Sequence, residues 1–350
     1  MKKLFQSKAL CCLLVLALCL AFTLPVMANP GLPNQAQATH HQLPSQFTGE
    51  IAYDYIYYLS EVIGSRIAAT EAEVEAAEYI YEEFESMGFE PYYQPFTYVR
   101  WGTEYESQNV IAVKPGRSSE TVILGAHYDS VRRGTGASDN ASGVGVMLEL
   151  APMLKDLNTH ANIKLIAFGA EEVGLRGSRQ YVDTMTEEEI ADTVAMVNMD
   201  MVGGVGDYFY VYAGLDGPTW VREMALNIGH NQGIDIRTTP DTNWGGYTGN
   251  WSDHAPFVWA GIPVAYFEHW NWELDPYSYW GTETEEYGDI LHTEMDTIEM
   301  IDLEEMSYVG KVVGPLVYEL AKTPLRNTNS EGVGKNAAKY KSVDAFDRAP

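Results

Sequence analysis

Apolar residues recur with two different periods along the chain, and the changes of period divide it into elements. From Ile51 to Ile63 they return every three to four positions, the spacing of a helix with one buried face, and "GSR" at 64–66 breaks the run. Thr70 stands where an N-cap belongs, Glu71 and Glu73 fall in the next turn, and the helical pattern holds to about Met87 before Gly88 ends it. Short β-type runs follow at Glu90–Tyr98, Asn109–Val113 and Val122–Ala126. "SDNASGVGVMLELAPMLK" reads as a loop entering a helix near Ala141. The apolar run Ile163–Phe168 predicts a buried strand, followed by a helix ending near Thr184. A Glu-rich turn leads to a strand at Ala195–Met199, a helix at Thr219–Gly229, a strand at Val264–Phe267 and a closing helix at Leu303–Ala321. Strands alternating with helices predict an α/β fold: a single globular domain whose mixed, mostly parallel central sheet is flanked by helices. In such sheets functional groups gather at the C-terminal ends of strands.

The two ends depart from this pattern. Met1–Lys3 is basic, Ala9–Leu24 is apolar, and Val26 and Ala28 occupy the small-residue positions ahead of a cleavage site. Residues 1–28 therefore read as a secretory signal, too short and wrongly flanked for a spanning helix. Residues 29–45, rich in Pro, Gln, Asn and His, read as a leader or short propeptide. The globular domain is expected over 46–322, and 323–350, poor in large apolar residues, reads as a mobile tail. All three cysteines, Cys11, Cys12 and Cys19, lie in the signal, and Leu18 before Cys19 does not fit a lipoprotein. Cleavage near Ala28 leaves a secreted or periplasmic chain with neither thiol chemistry nor disulfides. The net charge of −27 becomes −30 once Lys2, Lys3 and Lys8 are removed. That balance argues against nucleic acid or an anionic membrane as partner and favours a cationic ligand. Nothing in the pattern speaks to oligomeric state.

Five residues stand out by position. His127 ends "TVILGAH", Glu172 follows "IKLIAFGAE", and Asp200 ends "VAMVNMD". Asp139 sits in "GASDNASGVG" just before a helix, and His292 lies in "DILHTEMDT". Singly each has an ordinary explanation: a satisfied buried histidine, a helix cap, a turn residue, solvated charges in a first helical turn. Those explanations do not account for all five falling where strand ends converge. Two imidazoles and three carboxylates suit two divalent ions, with one carboxylate shared. The adjacent like charges of Glu171 and Glu172 are then tolerable beside cationic metal, one ligating and the other accepting a proton.

The blocks "GAHYDS", "GASDNASGV", "AFGAEEVGLRGS", "NMDMVG", "SDHAPF" and "LHTEMDT", in that order, make the chain resemble the M28 zinc aminopeptidases, co-catalytic di-zinc exopeptidases, over Tyr53–Ala321. The resemblance implies that 46–322 is a zinc peptidase catalytic domain with two Zn2+ per chain. It implies that His127 and Asp200 hold one zinc, Glu172 and His292 the other, and that Asp139 bridges them across a cis bond to Asn140. It makes Glu171 the general base. Asp129 would orient His127 as a supporting catalytic residue, and Asp296 would serve His292 likewise. The implied partners are peptides or proteins with a free N-terminus. Zinc brings the pKa of its bound water toward about 7, so that a neighbouring carboxylate need only steer the proton.

Some relatives carry an oxyanion-stabilising tyrosine just before the last histidine; here that position is Leu291, and Tyr247, Tyr266 and Tyr287 are the substitutes on offer. The aromatic stretch from Trp244 to Tyr287 is either a packed satellite core or a wall of the substrate pocket favouring apolar first residues. Trp244, Tyr247, Trp251, Tyr266 and Tyr287 are its candidate substrate contacts. His254 and His269, in or beside it, read as structural. Two other functions compete: a glutaminyl cyclase on a similar scaffold, which works with a single zinc, and a non-catalytic binding domain of peptidase fold, which would normally lack some ligands. Metal content, two ions or one, separates the first of these from the aminopeptidase.

Overall fold

The computed structural model describes residues 47–240, 245–274 and 282–324. The expected signal, the leader, all but the first residues of the tail, and Trp244 lie outside the described residues. The chain opens with helix α1 (Glu50–Tyr57), continued by a π-helical turn (Tyr58–Ile63), and then α2 (Glu71–Ser86). A hairpin of β1 (Tyr92–Arg100) and β2 (Thr103–Lys114) leads to β3 (Thr121–His127), α3 (Ser142–Lys155) and β4 (Asn162–Phe168). Helices α4 (Arg176–Thr184) and α5 (Glu187–Asp192) precede β5 (Thr193–Met199) and β6 (Tyr208–Gly214). Then come α6 (Trp220–Asn231), the short strands β7 (Ile236–Arg237) and β8 (Tyr247–Thr248), α7 (His254–Trp259), β9 (Val264–Trp270) and α8 (Leu303–Lys322). Among the described residues no helix is long and apolar enough to cross a membrane.

The strands form one mixed sheet in the order β1-β2-β4-β3-β5-β9-β6-β7, with β8 on β6. The central pairs β3–β4, β3–β5 and β5–β9 are parallel, whereas β1–β2, β2–β4 and β6–β9 are antiparallel. Period-two alternation explains why the central strands look uniformly apolar, because both faces are covered. On β3 and β4, Val122, Leu124, Ile163 and Leu165 join the large core beneath α1, α2, α3 and α8. Ile123, Ile166 and Phe168 face a smaller cluster that includes Tyr181 and Phe257 from α4 and α7. A Cβ on Gly125 would come 2.5 Å from the Phe168 ring, so the small residue lets that aromatic pack flat against β3.

The expected elements are present with ends shifted by a few residues. The short β7, β8 and α7 were not anticipated, nor were two further elements. Strand β6 was not expected at all, and the Glu-rich turn contains α5, entered through a capping box of Thr186 and Glu189. Thr70 precedes α2 without capping it; its hydroxyl donates to the Ile67 carbonyl at 2.6 Å.

Candidate metal centre

Parallel pairing of β3 with both β4 and β5 brings three strand ends to one rim. His127 is the last residue of β3 and Asp200 follows β5, while Glu171 and Glu172 follow β4 after the turn Gly169–Ala170. Asp139 enters from a kinked turn (Ala137–Ala141) ahead of α3, non-helical at Asp139 and Asn140, and its peptide bond to Asn140 is cis, as the resemblance implies. His292 arrives on the loop before α8.

These side chains form two groups whose ligand atoms lie close enough to hold a metal ion: His127, Asp139 and Asp200, and Asp139, Glu172 and His292. His127 Nε2 is 3.2 Å from both Asp139 Oδ1 and Asp200 Oδ1. His292 Nε2 is 3.1 Å from Asp139 Oδ2 and 3.0 Å from Glu172 Oε2. Asp139 thus offers one oxygen to each group. Glu172 Oε1 is buried without a hydrogen-bond partner. One ring nitrogen carries at most one proton, so two carboxylates crowding each Nε2 fit a shared cation better than a hydrogen bond.

Buried carboxylates hold this frame from behind. Asp129 Oδ1 accepts the Glu171 N–H at 2.9 Å and Oδ2 the Glu172 N–H at 3.1 Å. The His127 Nδ1 contact goes first to the Asp129 main-chain oxygen, at 3.1 Å, with the carboxylate at 3.5 Å. Asp129 therefore orients the turn bearing both glutamates as well as the histidine. Asp296 departs from expectation: its carboxylate accepts from the amides of Ser138 (2.6 Å) and Asp139 (3.1 Å), supporting the shared aspartate and not the His292 ring. The four-residue spacing from His292 implied a partnership that the loop's course does not make.

Other supports went unread in the sequence. Glu73, placed by the sequence only in the first turn of α2, is buried and accepts from Ala69 N, Ala170 N and Ser107 Oγ, pinning the residue before Glu171. Arg66 is buried and donates to the carbonyls of Leu59, Gly64, Tyr128, Thr135 and Gly136. Glu283 accepts from the amides of Ile290 and Leu291, just ahead of His292. Ser252, in the "SDHAPF" block, donates to Asp200 Oδ2 at 2.7 Å and accepts from Asn198.

The electrostatics record too much negative charge in too little water. Burial opposes a charged His127, but Asp200 and Glu171 overcome it and hold the ring well above its ordinary value. His292, likewise opposed by burial, is lifted to about 11 by its bonds to Asp139 and Glu172. Burial also works against Asp139, yet hydrogen bonds from the two histidines hold it well below the usual carboxylate range. Burial, then Asp139, pushes Glu172 up to about 7. Burial raises Glu171 far above the ordinary range; His127 opposes this, and Glu172, Asp253 and Asp200 add to it.

Beside the rim lies an aromatic cluster of Met201, Tyr210, Tyr212, Tyr266, Trp270 and Trp272, edged by Trp251 and Leu291. Met201 follows Asp200 and Leu291 precedes His292, so the cluster adjoins both metal-capable groups. Most of it is core. Tyr212 and Tyr266 each donate to Glu268 at 2.6 Å, and Trp272 Nε1 donates to the Tyr212 hydroxyl. Tyr266 is thus committed elsewhere than the oxyanion role; Tyr287 is 50% exposed, and the Tyr247 ring lies beside the Arg222 guanidinium. His254 stacks on Tyr266 and bonds the Gly249 carbonyl, and His269 accepts from Gly204 N; neither joins a metal-capable group.

Comparison with known proteins follows the same line. The model of peptidase family M28 matches residues 109–317. Aminopeptidase YwaD of Bacillus subtilis (strain 168) is 36% identical over 253 residues, covering 70% of this chain and 50% of the relative, so the chain spans about half of that protein's length. The solved structure of BSAP, a zinc aminopeptidase from Bacillus subtilis, superposes with a TM-score of 0.68 at 25% identity over 81% of this chain and 97% of its own. A glutaminyl cyclase from Porphyromonas gingivalis superposes with a TM-score of 0.67 at 21% identity over 78% and 99%, a likeness of fold alone.

Proposed function

The chain belongs to peptidase family M28, and on that premise we propose that it is a secreted zinc aminopeptidase holding two zinc ions. The observation that carries this reading is Asp139, with one oxygen toward His127 and the other toward His292. His127 and Asp200 would hold one ion, Glu172 and His292 the other, and Asp139 would join them. The fit is chemical as well as spatial: nitrogen and oxygen donors suit zinc, and Glu172 Oε1 is a buried acceptor without a donor. A cation here would also offset the burial and the neighbouring carboxylates that push Glu171 and Glu172 upward.

When bound, zinc polarises the scissile carbonyl and acidifies the attacking water. Glu171 takes that water's proton and returns it to the leaving amine, the two tasks of a general base. Asp129 holds the Glu171 and Glu172 amides, fixing where the base stands. The acidic rim draws the substrate's free α-amine. The Met201 and Leu291 side of the aromatic cluster favours an apolar first side chain, whose burial is worth about 1.5–3 kcal/mol.

A single-zinc cyclase has no need of the second His–carboxylate group, so the metal count tests the assignment. Two zinc per chain are expected, with leucyl and phenylalanyl substrates cleaved faster than glutamyl ones and acetyl-leucyl ones uncut. One zinc per chain, or equal cleavage of leucyl and acetyl-leucyl substrates, overturns the reading.

A further inference from the structure

We propose that Arg132 and Arg133 form a cationic lip beside the metal centre that binds a carboxylate on the leaving-group side of the peptide. The inference rests on the aminopeptidase reading and adds a substrate class to it. The favoured peptides have an acidic residue just after the scissile bond, or are short enough for their own C-terminal carboxylate to reach the lip.

Both arginines lie in "SVRRGTGAS", the segment joining His127 to Asp139. Its course is held from inside. Ser65 Oγ donates to the Gly134 carbonyl at 2.8 Å, Arg66 donates to the carbonyls of Thr135 and Gly136, and Thr135 N donates to the Asp296 carbonyl at 2.8 Å. Gly134, at φ 70°, runs directly against the turn that follows His292. A Cβ on it would lie 2.6 Å from the Thr293 oxygen and 2.7 Å from that of Asp296. The arginines immediately precede this contact and so stand beside the His292 turn.

That is the open side of the site. The His292 side chain is 48% exposed, whereas His127, Asp139 and Asp200 are buried. Arg132 and Arg133 are themselves exposed. Among the described residues no carboxylate lies within ion-pair distance of either guanidinium. The nearby acid Glu61 takes its hydrogen bonds from Ser60 and Thr135, and Glu294 is exposed on the neighbouring turn. Two adjacent unpaired arginines are notable in a chain with 22 basic and 49 acidic residues. Guanidinium groups on a fixed backbone present a preformed fork for carboxylate. The acidic floor and basic lip together match a peptide entering amine first with its negative end trailing outward.

The test uses the purified protein with zinc and two matched peptide pairs. Leucyl-glycyl-glycine against its C-terminal amide probes the terminal carboxylate. Leucyl-aspartyl-glycinamide against leucyl-asparaginyl-glycinamide probes an acidic side chain. At low ionic strength the carboxylate member of at least one pair should have kcat/KM about 3- to 10-fold higher, the range for one or two partly exposed ion pairs. The preference should shrink in high salt, persist in part in R132K/R133K and vanish in R132Q/R133Q. Cleavage of all four peptides with equal efficiency, or a preference unchanged in R132Q/R133Q, overturns the lip alone. Failure to cleave any of the four overturns the aminopeptidase reading and the lip with it.

Discussion

Asp129→Asn keeps the side chain's volume and removes one of its two acceptor oxygens. In the native protein those oxygens take the N–H groups of Glu171 and Glu172 at 2.9 and 3.1 Å, and Asp129 itself is fully buried. An asparagine can satisfy one amide through its oxygen, but its NH2 then faces the other, donor against donor. A hydrogen bond to a charged group is worth about 1.5–3 kcal/mol, and an unsatisfied buried donor costs a similar amount. A loss of about 2–3 kcal/mol corresponds to a melting temperature lower by roughly 4–12 °C for a domain of this size. The catalytic effect should be larger, because the released turn carries Glu171. A misplacement of about 1 Å can cost roughly 10²-fold in rate. Zinc content should fall less than turnover, since the main-chain oxygen of residue 129, at 3.1 Å from His127 Nδ1, survives the substitution. Thermal melts, metal analysis and steady-state kinetics on a leucyl substrate measure all three. Unchanged melting with unchanged turnover per zinc refutes the reasoning. Loss of zinc with normal turnover per remaining zinc refutes the role on the Glu171 turn and leaves Asp129 acting through His127 alone.

Glu171→Gln should retain zinc and lose about 10²–10⁴-fold in kcat, the usual contribution of a general base; near-normal turnover at normal zinc content removes Glu171 from that role. Glu268 gives a pH prediction. Burial pushes it from 4.5 up to about 8, despite the hydrogen bonds from Tyr212 and Tyr266. A carboxyl raised in this way keeps its proton where the unfolded chain has lost it, so stability declines as pH rises from about 4.5 to about 8 and then levels. Glu268→Gln lacks that decline, so in chelator-treated protein its melting temperature relative to wild type should climb across the same window. A difference independent of pH counts against the buried, proton-holding carboxyl.

How much of this was legible beforehand divides along the range of the interactions. Helix and strand identity follows from which faces are apolar, a local property, and α2, α3, β3, β4, β5 and α8 were readable on that ground. Strand β6 was not, because "YFYVYAG" at 208–214 mixes aromatics with no clean alternation and its antiparallel place beside β9 is a tertiary choice. His127, Asp139, Glu172, Asp200 and His292 stood out in sequence because strand ends and the helix-entry loop carried ligand chemistry. Whether they meet depended on β3 lying between β4 and β5, which joins His127, Glu172 and Asp200, and on the course of the loop before α8, which brings His292 to residues as far as 165 positions away.

The supporting carboxylates show the boundary most clearly. Asp129 was readable as a support, being two residues from His127, but its grip on the Glu171 and Glu172 amides spans more than forty positions. Asp296 looked like a partner of His292 by spacing, yet it bonds amides 157 and 158 positions away. Glu73, placed by the sequence only in the first turn of α2, is buried under the turn at Ala170. The sequence by itself determined most of the element types, which residues could serve as metal donors and the sign of the charge, because each depends on residue type and near neighbours. Only the tertiary structure decided which buried amide each carboxylate would satisfy, because an amide's need for an acceptor appears once folding removes it from water, and packing selects the acceptor within reach.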